Sequence, residues 1–150
     1  MNMRVSSPIS GTLAESKAAR VSILPAQARL SLRARGDVAS LGAALGLILP
    51  ERIGARASAG ERQAVRLGPD EWTIIAPDGE VGELIAACAG VYAGHPHSLV
   101  HISGRDVPLL IEGPRAAAPP TPGCPRDIDT NALGEARRTH FDGLPAVPWR

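Results

Sequence analysis

Hydrophobic and polar residues alternate strictly over residues 28–35, and this period of two predicts a strand with one buried face. A helix is expected to follow from Asp37, whose carboxylate can accept hydrogen bonds from the free amides at a helix start, and to end at Pro50. Gly42 and Gly46 lie inside this segment. Because glycine disfavours helical conformation, the predicted helix is weak.

The clearest hairpin follows a loop that we expect at residues 51–61. Alternating residues predict one strand at 63–67 and another at 72–76, with Trp72 on the apolar face of the second. The tetrapeptide Gly68-Pro69-Asp70-Glu71 between them suits a tight turn, because proline presets the backbone angle of the second turn position.

One strong helix and four short strands are predicted further along the chain. Apolar residues from Val81 to Tyr92 follow the i, i+3, i+4, i+7 rule, and Asp78 is a suitable cap for this helix. Four further segments are predicted to be strands, and Pro108 confines the second of them to a sheet edge or a strand start: 98–103, 107–112, 136–140 and 144–149. The last two are separated by Phe141 and the favoured turn dipeptide Asp142-Gly143, which predicts a hairpin.

This order of elements predicts an α+β fold, in which a largely antiparallel sheet is covered by two or three helices. Residues 1–24 have no sustained helical or strand period, so we expect an extended N-terminal arm there and a single domain over residues 25–150. A chain of 150 residues can bury one core, and with four aromatic residues that core must consist mainly of Leu, Ile, Val and Ala.

Charge and composition argue against several classes of function. Sixteen basic and fifteen acidic residues give no net field that would attract nucleic acid or acidic lipid. No window holds the ~20 apolar residues that span a bilayer, and the first residues lack a signal-peptide pattern, so the cytoplasm is the expected compartment. Cys88 and Cys124 lie far apart in dissimilar contexts, and we interpret them as buried or incidental thiols.

Three histidines and two neighbouring carboxylates are the residues that most resemble a chemical site. His97 and His101 would share one face of a strand, as two metal ligands might, with His95 nearby in sequence. No third ligand is in register, so solvated or backbone-bonded histidines are the favoured interpretation. Asp70 and Glu71 are interpreted as turn residues, because neighbours in a turn splay apart whereas acid and base carboxylates converge on a substrate.

Nucleophile and phosphate motifs are also lacking in the sequence. Ser98 and Ser103 have no nucleophile elbow, and Cys124 has no helix amino terminus near it that would lower its pKa. Four glycines do not form the strand-turn-helix loop that holds a pyrophosphate: Gly42, Gly46, Gly54 and Gly60. We therefore assign no catalytic, cofactor-binding or metal-binding residue to this chain. The arginine face of the first strand is either solvated or meets an acidic partner.

Six short stretches between residues 28 and 150 form a collinear series: Leu30-Ser31-Leu32-Arg33, Leu45-Gly46 to Leu49-Pro50, Leu67 to Trp72, Leu99 to Arg105, Gly113-Pro114-Arg115-Ala116, and Gly123-Cys124-Pro125 with Asp127. In this order and spacing they resemble the gamma subunit of heterotetrameric sarcosine oxidase. That family is related to the folate-binding fold of the glycine-cleavage aminomethyltransferases, so the resemblance implies a similar fold here.

The resemblance implies a place in an oxidoreductase complex that demethylates sarcosine to glycine. FAD, FMN, NAD and tetrahydrofolate would then be bound by larger partner subunits, against which the gamma chain packs without chemistry of its own. The turn before Trp72 would serve to place that side chain in the core. Two alternatives remain: a stand-alone folate-binding or one-carbon-transfer module, which needs carboxylates that we cannot place, and a diverged chain that has lost its complex.

The sequence departs from the family pattern at three places. Pro119, Pro120 and Pro122 would break a short helix that the family has there. His101 stands where the family generally has an acidic residue. The sequence ends at Arg150 where relatives run on through another strand and a helix, so we expect a shortened domain with one edge that a partner must cover.

Overall fold

The computed structural model describes residues 9–116, Cys124 and residues 132–149. The strands are β1 (Gly11–Glu15), β2 (Arg20–Ile23), β3 (Gln27–Ala34), β4 (Arg56–Ala59), β5 (Arg62–Gly68), β6 (Glu71–Pro77), β7 (His97–His101), β8 (Leu109–Glu112), β9 (Thr139–Phe141) and β10 (Leu144–Ala146). The helices are α1 (Ala39–Leu45) and α2 (Val81–Val91), and single 3-10 turns lie at Asp78–Glu80 and Ser103–Arg105.

Three antiparallel sheets contain these strands. The main sheet has the order β4-β5-β6-β3-β7, and a separate three-stranded sheet, which we call the outer sheet, has the order β1-β2-β8. Strands β9 and β10 form a hairpin. The predicted α+β fold, a largely antiparallel sheet with two helices, is confirmed.

The core lies between the helices and one face of the main sheet. The predicted alternation of β3 is confirmed, because Leu30, Leu32 and Ala34 are buried while Arg33 is exposed. Paired residues of neighbouring strands share a face, and the remaining core residues lie on that same face, on the helices or on the segment after α1: Ala28, Leu41, Leu45, Leu47, Leu49, Ala64, Trp72, Ile74, Ala76, Leu84 and Cys88.

Trp72 is the one large aromatic side chain in this core, and it is 2% exposed. Its indole Nε1 donates a hydrogen bond to the Pro50 carbonyl oxygen over 2.9 Å. The Arg66 guanidinium carbon lies 4.8 Å from the ring centroid, a cation–π contact. Arg66 also donates to the carbonyl oxygens of Glu51 and Gly68. The expectation that the turn at 68–71 places Trp72 in the core is confirmed.

Helix α1 is shorter than the sequence predicted. It begins as expected, because the Asp37 carboxylate accepts a hydrogen bond from the Ala39 amide over 2.9 Å. It ends at Gly46 and not at Pro50, since Gly46 adopts the left-handed conformation with φ of 69°. Gly42 has a packing role, because a Cβ there would lie 2.8 Å from the Leu47 carbonyl oxygen.

Arg62 on β5 ties the ends of both helices to the main sheet. Its guanidinium donates to the Leu45 carbonyl oxygen at the end of α1 over 3.0 Å. The same group pairs with Glu80 over 2.6 Å and with Glu83 over 2.9 Å at the start of α2. One side chain therefore fixes α1 and α2 relative to the hairpin β5–β6.

Residues 132–149 attach to the start of β4. The Ala136 amide donates to the Gly54 carbonyl oxygen over 2.8 Å, and Ala136 is fully buried. Arg138 pairs with Glu71 over 2.7 Å. The predicted hairpin is confirmed at β9 and β10, and Asp142-Gly143 forms its turn with φ of 48° and 81°, the positive values that such two-residue turns require.

Four sequence predictions are corrected by the structure. Residues 11–15 and 20–23 are strands where none was predicted, because a shift of register breaks the period of β1 and β2 is only four residues long. The expected loop at 51–61 contains β4. The Asp78 side chain caps neither the 3-10 turn nor α2. The strand expected at 107–112 begins at Leu109 and joins the outer sheet.

The segment at Pro119, Pro120 and Pro122 and the turn-rich region around it lie outside the described residues, apart from Cys124. The division into an arm at 1–24 and a single domain at 25–150 stays a prediction.

We expect Trp72→Phe to lower the free energy of unfolding by about 1–3 kcal/mol, because it leaves the buried Pro50 carbonyl without its donor. Urea denaturation followed by circular dichroism measures the change. Trp149→Phe is the matched control, since Trp149 is only half-buried. An equal loss in both variants would contradict the anchoring role of Trp72.

Replacing Arg62 by lysine should lower the free energy of unfolding by about 1–2 kcal/mol, because a single ammonium group cannot form the fork of bonds to a carbonyl and two carboxylates. Arg35→Lys is the control, since Arg35 is exposed and lies 3.5 Å from its partner Asp70. The same denaturation experiment compares the two, and a loss in the control as large as in Arg62→Lys would refute the assignment.

Candidate partner-binding surface

The outer sheet separates its residues into an apolar and a polar face. The register pairs Val21 with Ile111 and Ile23 with Leu109, and paired side chains share a face. We call these four residues the apolar face. The opposite face carries the pairs Arg20–Glu112 and Ser22–Leu110.

Residues of the two outer strands of this sheet, β1 and β8, are all exposed. Leu109 is 52% exposed and Ile111 is 44% exposed, although both belong to the apolar face. Nothing in the described part of the chain therefore covers these strands. A three-stranded sheet needs a buried hydrophobic face for stability, so the outer sheet has the properties of a surface that a partner completes.

Backbone contacts hold the outer sheet together at both ends of β8. The Leu24 amide donates to the Pro108 carbonyl oxygen over 3.0 Å, and the Arg115 amide donates to the Ala18 carbonyl oxygen over 3.0 Å. A Cβ at Gly113 would lie 2.8 Å from that same Ala18 oxygen. The stretch 113–116 is thus the clamp that holds the turn between β1 and β2 against the end of β8.

The helical side of the molecule offers a second weakly polar surface. Ile48, after α1, is 84% exposed, and Ile85 and Tyr92 are also exposed. Glu83 is the only charged residue of the two helices. An open groove of about 1180 Å³ lies between α1 and β4, and small side chains such as Ala43 line much of it. Charged residues, among them Arg35 and Asp37, also line the groove, whereas the exposed apolar side chains of the helical side suit contact with a protein.

The histidines are held apart by the strand that carries them. His97 and His101 lie on one face of β7, as predicted, but four residues along a strand span about 13 Å, too far for one metal ion. His97 Nδ1 is 2.7 Å from the His95 carbonyl oxygen, and its ring packs edge-on against Tyr92. His101 Nε2 is 2.5 Å from Ser103 Oγ. Within residues 9–116, 124 and 132–149, no three His, Cys, Asp or Glu side chains are grouped to hold a metal ion.

The turn carboxylates are engaged by arginines. Arg33 lies 3.4 Å from Asp70 and 3.3 Å from Glu71, and Arg35 lies 3.5 Å from Asp70. The hydrogen bond from Arg138, with a further contribution from Arg33, holds the pKa of the Glu71 carboxyl below its ordinary value. The arginine face of β3 thus finds acidic partners within its own chain, and these carboxylates stabilise the turn.

The remaining candidates have structural surroundings. Ser103 Oγ accepts a hydrogen bond from the Arg29 amide over 2.9 Å, which ties the chain after β7 to β3. Burial raises the pKa of the Cys88 thiol, the opposite of what a nucleophile needs. Cys124 is half-buried and not in a disulfide, and Ser98 is exposed on β7. None of the helices in the described part of the chain is long and apolar enough to cross a membrane.

The chain is similar to known proteins in sequence and in fold. No family model matches the chain. It is 38% identical over 117 residues to the sarcosine oxidase subunit gamma of Arthrobacter sp., covering 75% of this chain and 56% of that protein. The sarcosine oxidase subunit gamma of Corynebacterium sp. strain P-1 is 34% identical over 118 residues, with 77% and 57% covered. The chain thus spans little more than half the length of the curated relatives it matches.

A solved heterotetrameric sarcosine oxidase from Corynebacterium sp. U-96 contains a chain that superposes on 93% of this one, with a TM-score of 0.76 and 26% identity, and 73% of that chain is covered. The chain is thus similar to sarcosine oxidase gamma subunits in sequence and in fold. The aminomethyltransferase T of the Bartonella henselae glycine cleavage system matches 74% of this chain and 33% of its own, with a TM-score of 0.53 and 17% identity, which shows the fold alone. Both resemblances inferred from the sequence are confirmed.

Sequence reasoning missed the outer sheet. Residues 20–23 do alternate, with Val21 and Ile23 as the apolar positions, but four residues give a weak pattern. Their partner strand β8 lies much later in the chain, so no local turn marks the pairing. One signal could have indicated the outer sheet. The stretch 113–116, one of the six that carry the resemblance to gamma subunits, is the clamp beside β8.

The Glu71 ion pair predicts a pH dependence of stability. Because its pKa is lowered in the folded state, Glu71 contributes stability above the ordinary carboxyl pKa of about 4.3 and loses that contribution as the pH falls through its folded-state pKa. The difference in free energy of unfolding between wild type and Glu71→Gln should therefore be large at neutral pH and shrink in acid. Glu61→Gln, at an exposed turn position, is the control. A difference for Glu71→Gln that is independent of pH would contradict the ion pair.

Proposed function

We propose that this chain is a non-catalytic gamma-type subunit of a heterotetrameric sarcosine oxidase, the complex that oxidatively demethylates sarcosine to glycine. The observation that carries the proposal is the match to a chain of the solved heterotetramer over 93% of this chain. Identity of 38% to an Arthrobacter gamma subunit supports it independently of the structure.

In this proposal the larger subunits bind the cofactors, namely FAD, FMN, NAD and tetrahydrofolate. Oxidation of an N-methyl amine releases two electrons, which a flavin is suited to accept. Support for placing that chemistry outside this chain comes from its described residues. The turn carboxylates Asp70 and Glu71 are bound to arginines, and the histidines of β7 bond to neighbouring oxygens.

The part that this chain plays is to present a rigid surface to its partners. The hydrogen bond from Trp72 and the three-way contact of Arg62 fix both helices to the main sheet. The outer sheet then adds a surface on which two residues of the apolar face, Leu109 and Ile111, are exposed. A chain with this distribution of surface suits an assembly role, and in this proposal it acts in the cytoplasm together with the larger subunits.

Co-expression with the larger subunits of a heterotetrameric sarcosine oxidase tests the proposal. A tag on this chain should recover a stoichiometric complex with flavin absorbance, while the chain expressed alone should be colourless and inactive on sarcosine. A stable monomer that never copurifies with a flavoprotein would contradict the proposal. Isothermal titration of the isolated chain with tetrahydrofolate is the second readout, since saturable one-to-one binding would favour a folate-binding module instead.

A further inference from the structure

The two edges of the outer sheet differ. At β1 the register shifts between Thr12 and Ala14, so that Leu13 is an extra residue of a β-bulge. Bulges are a common means by which proteins keep other chains from pairing with an edge strand. At β8 the register with β2 is continuous from Leu109 to Glu112. Within the described ranges no strand pairs with the other side of β8.

The hydrogen-bond pattern identifies the backbone groups that face this open edge. The Leu24 amide donates to the Pro108 carbonyl oxygen, so these two residues form a hydrogen-bonded pair. Hydrogen-bonded and non-bonded pairs alternate along an antiparallel ladder. The N–H and C=O of Leu110 therefore point to β2, and those of Leu109 and Ile111 point away from it.

Leu109 and Ile111 are also the two β8 residues of the apolar face. A strand added at this edge would pair with their outward backbone groups and place its own alternate side chains beside theirs. We propose that a strand of a larger subunit of the complex adds to the β8 edge and extends the apolar face, which that subunit covers. This inference rests on the proposed function and names the partner and the mode of contact.

The size of the apolar face argues for a larger partner over a second copy of this chain. Three strands of about four residues make a patch of about 13 by 14 Å, or roughly 200 Å². A stable interface buries about 800 Å² on each partner, so two copies stacked by this face alone fall well short. Pairing β8 with β8 of another copy would extend the sheet and leave the apolar face exposed. A larger subunit that also contacts the surroundings of the sheet can bury enough area and cover the apolar face.

Ile111→Pro tests the strand addition, because it removes an amide that points to the open edge and leaves the bonds between β8 and β2 in place. We expect a folded chain whose affinity for the larger subunits falls by about tenfold or more. Ile111→Ser should also weaken the complex, through the apolar face. Leu110→Ser is the matched control on the opposite face of the same strand, where Leu110 is 37% exposed, and it should leave the affinity unchanged.

Amide hydrogen exchange provides the readout that does not depend on variants. The amides of Leu109 and Ile111 should exchange rapidly in the isolated chain and slowly in the complex, while the Leu110 amide is protected in both.

A complex that forms with these amides unprotected, or with full affinity for Ile111→Pro, would overturn the inference and leave the proposed function standing. Protection already present in the isolated monomer, or in a self-dimer that Ile111→Pro abolishes, would also overturn it. Failure of the wild-type chain to join any larger subunit would overturn the proposed function first.

Discussion

The hydrogen bond from the Trp72 indole to the Pro50 carbonyl oxygen joins the hairpin of the main sheet to the segment that follows α1. Helix α1 has only seven residues, too few to be stable alone in water, so its position depends on contacts made from outside. Trp72 supplies one of these contacts at Pro50, in the segment after the helix, and Arg62 supplies another at the last turn of the helix. Because α2 is held by the same arginine, the whole helical layer depends on the hairpin β5–β6.

Elements marked by local chemistry could be predicted from the sequence. The alternation of β3, the turn at 68–71 and the dipeptide Asp142-Gly143 act over a few residues, and the structure has all three. Strands β1, β2 and β4 were missed because they are short and gain stability from partners elsewhere in the sheet. Helix α1 was drawn too long because apolar residues continue past Gly46, while the conformation of that glycine turns the chain away from the helix.

The candidate site shows a second limit of prediction from sequence. Sequence spacing was sufficient to predict that His97 and His101 share a face, and strand geometry then places them too far apart to act together. The arginines of β3 could be identified as an exposed face, but only the fold shows that the turn before Trp72 brings Asp70 and Glu71 to them. An apolar face can likewise be read from alternation, whereas whether the same chain covers it depends on the packing of distant segments.

The bulge in β1 has a consequence for stoichiometry. A sheet that is regular at one edge and bulged at the other can be lengthened in one direction only. Once a strand occupies the β8 side, the opposite side offers no matching edge for another molecule. Head-to-tail contacts that do not close on themselves produce filaments, and they require two competent edges on every copy. The outer sheet can thus bind one strand at its β8 edge, and the bulge in β1 prevents further strands from adding at the other edge.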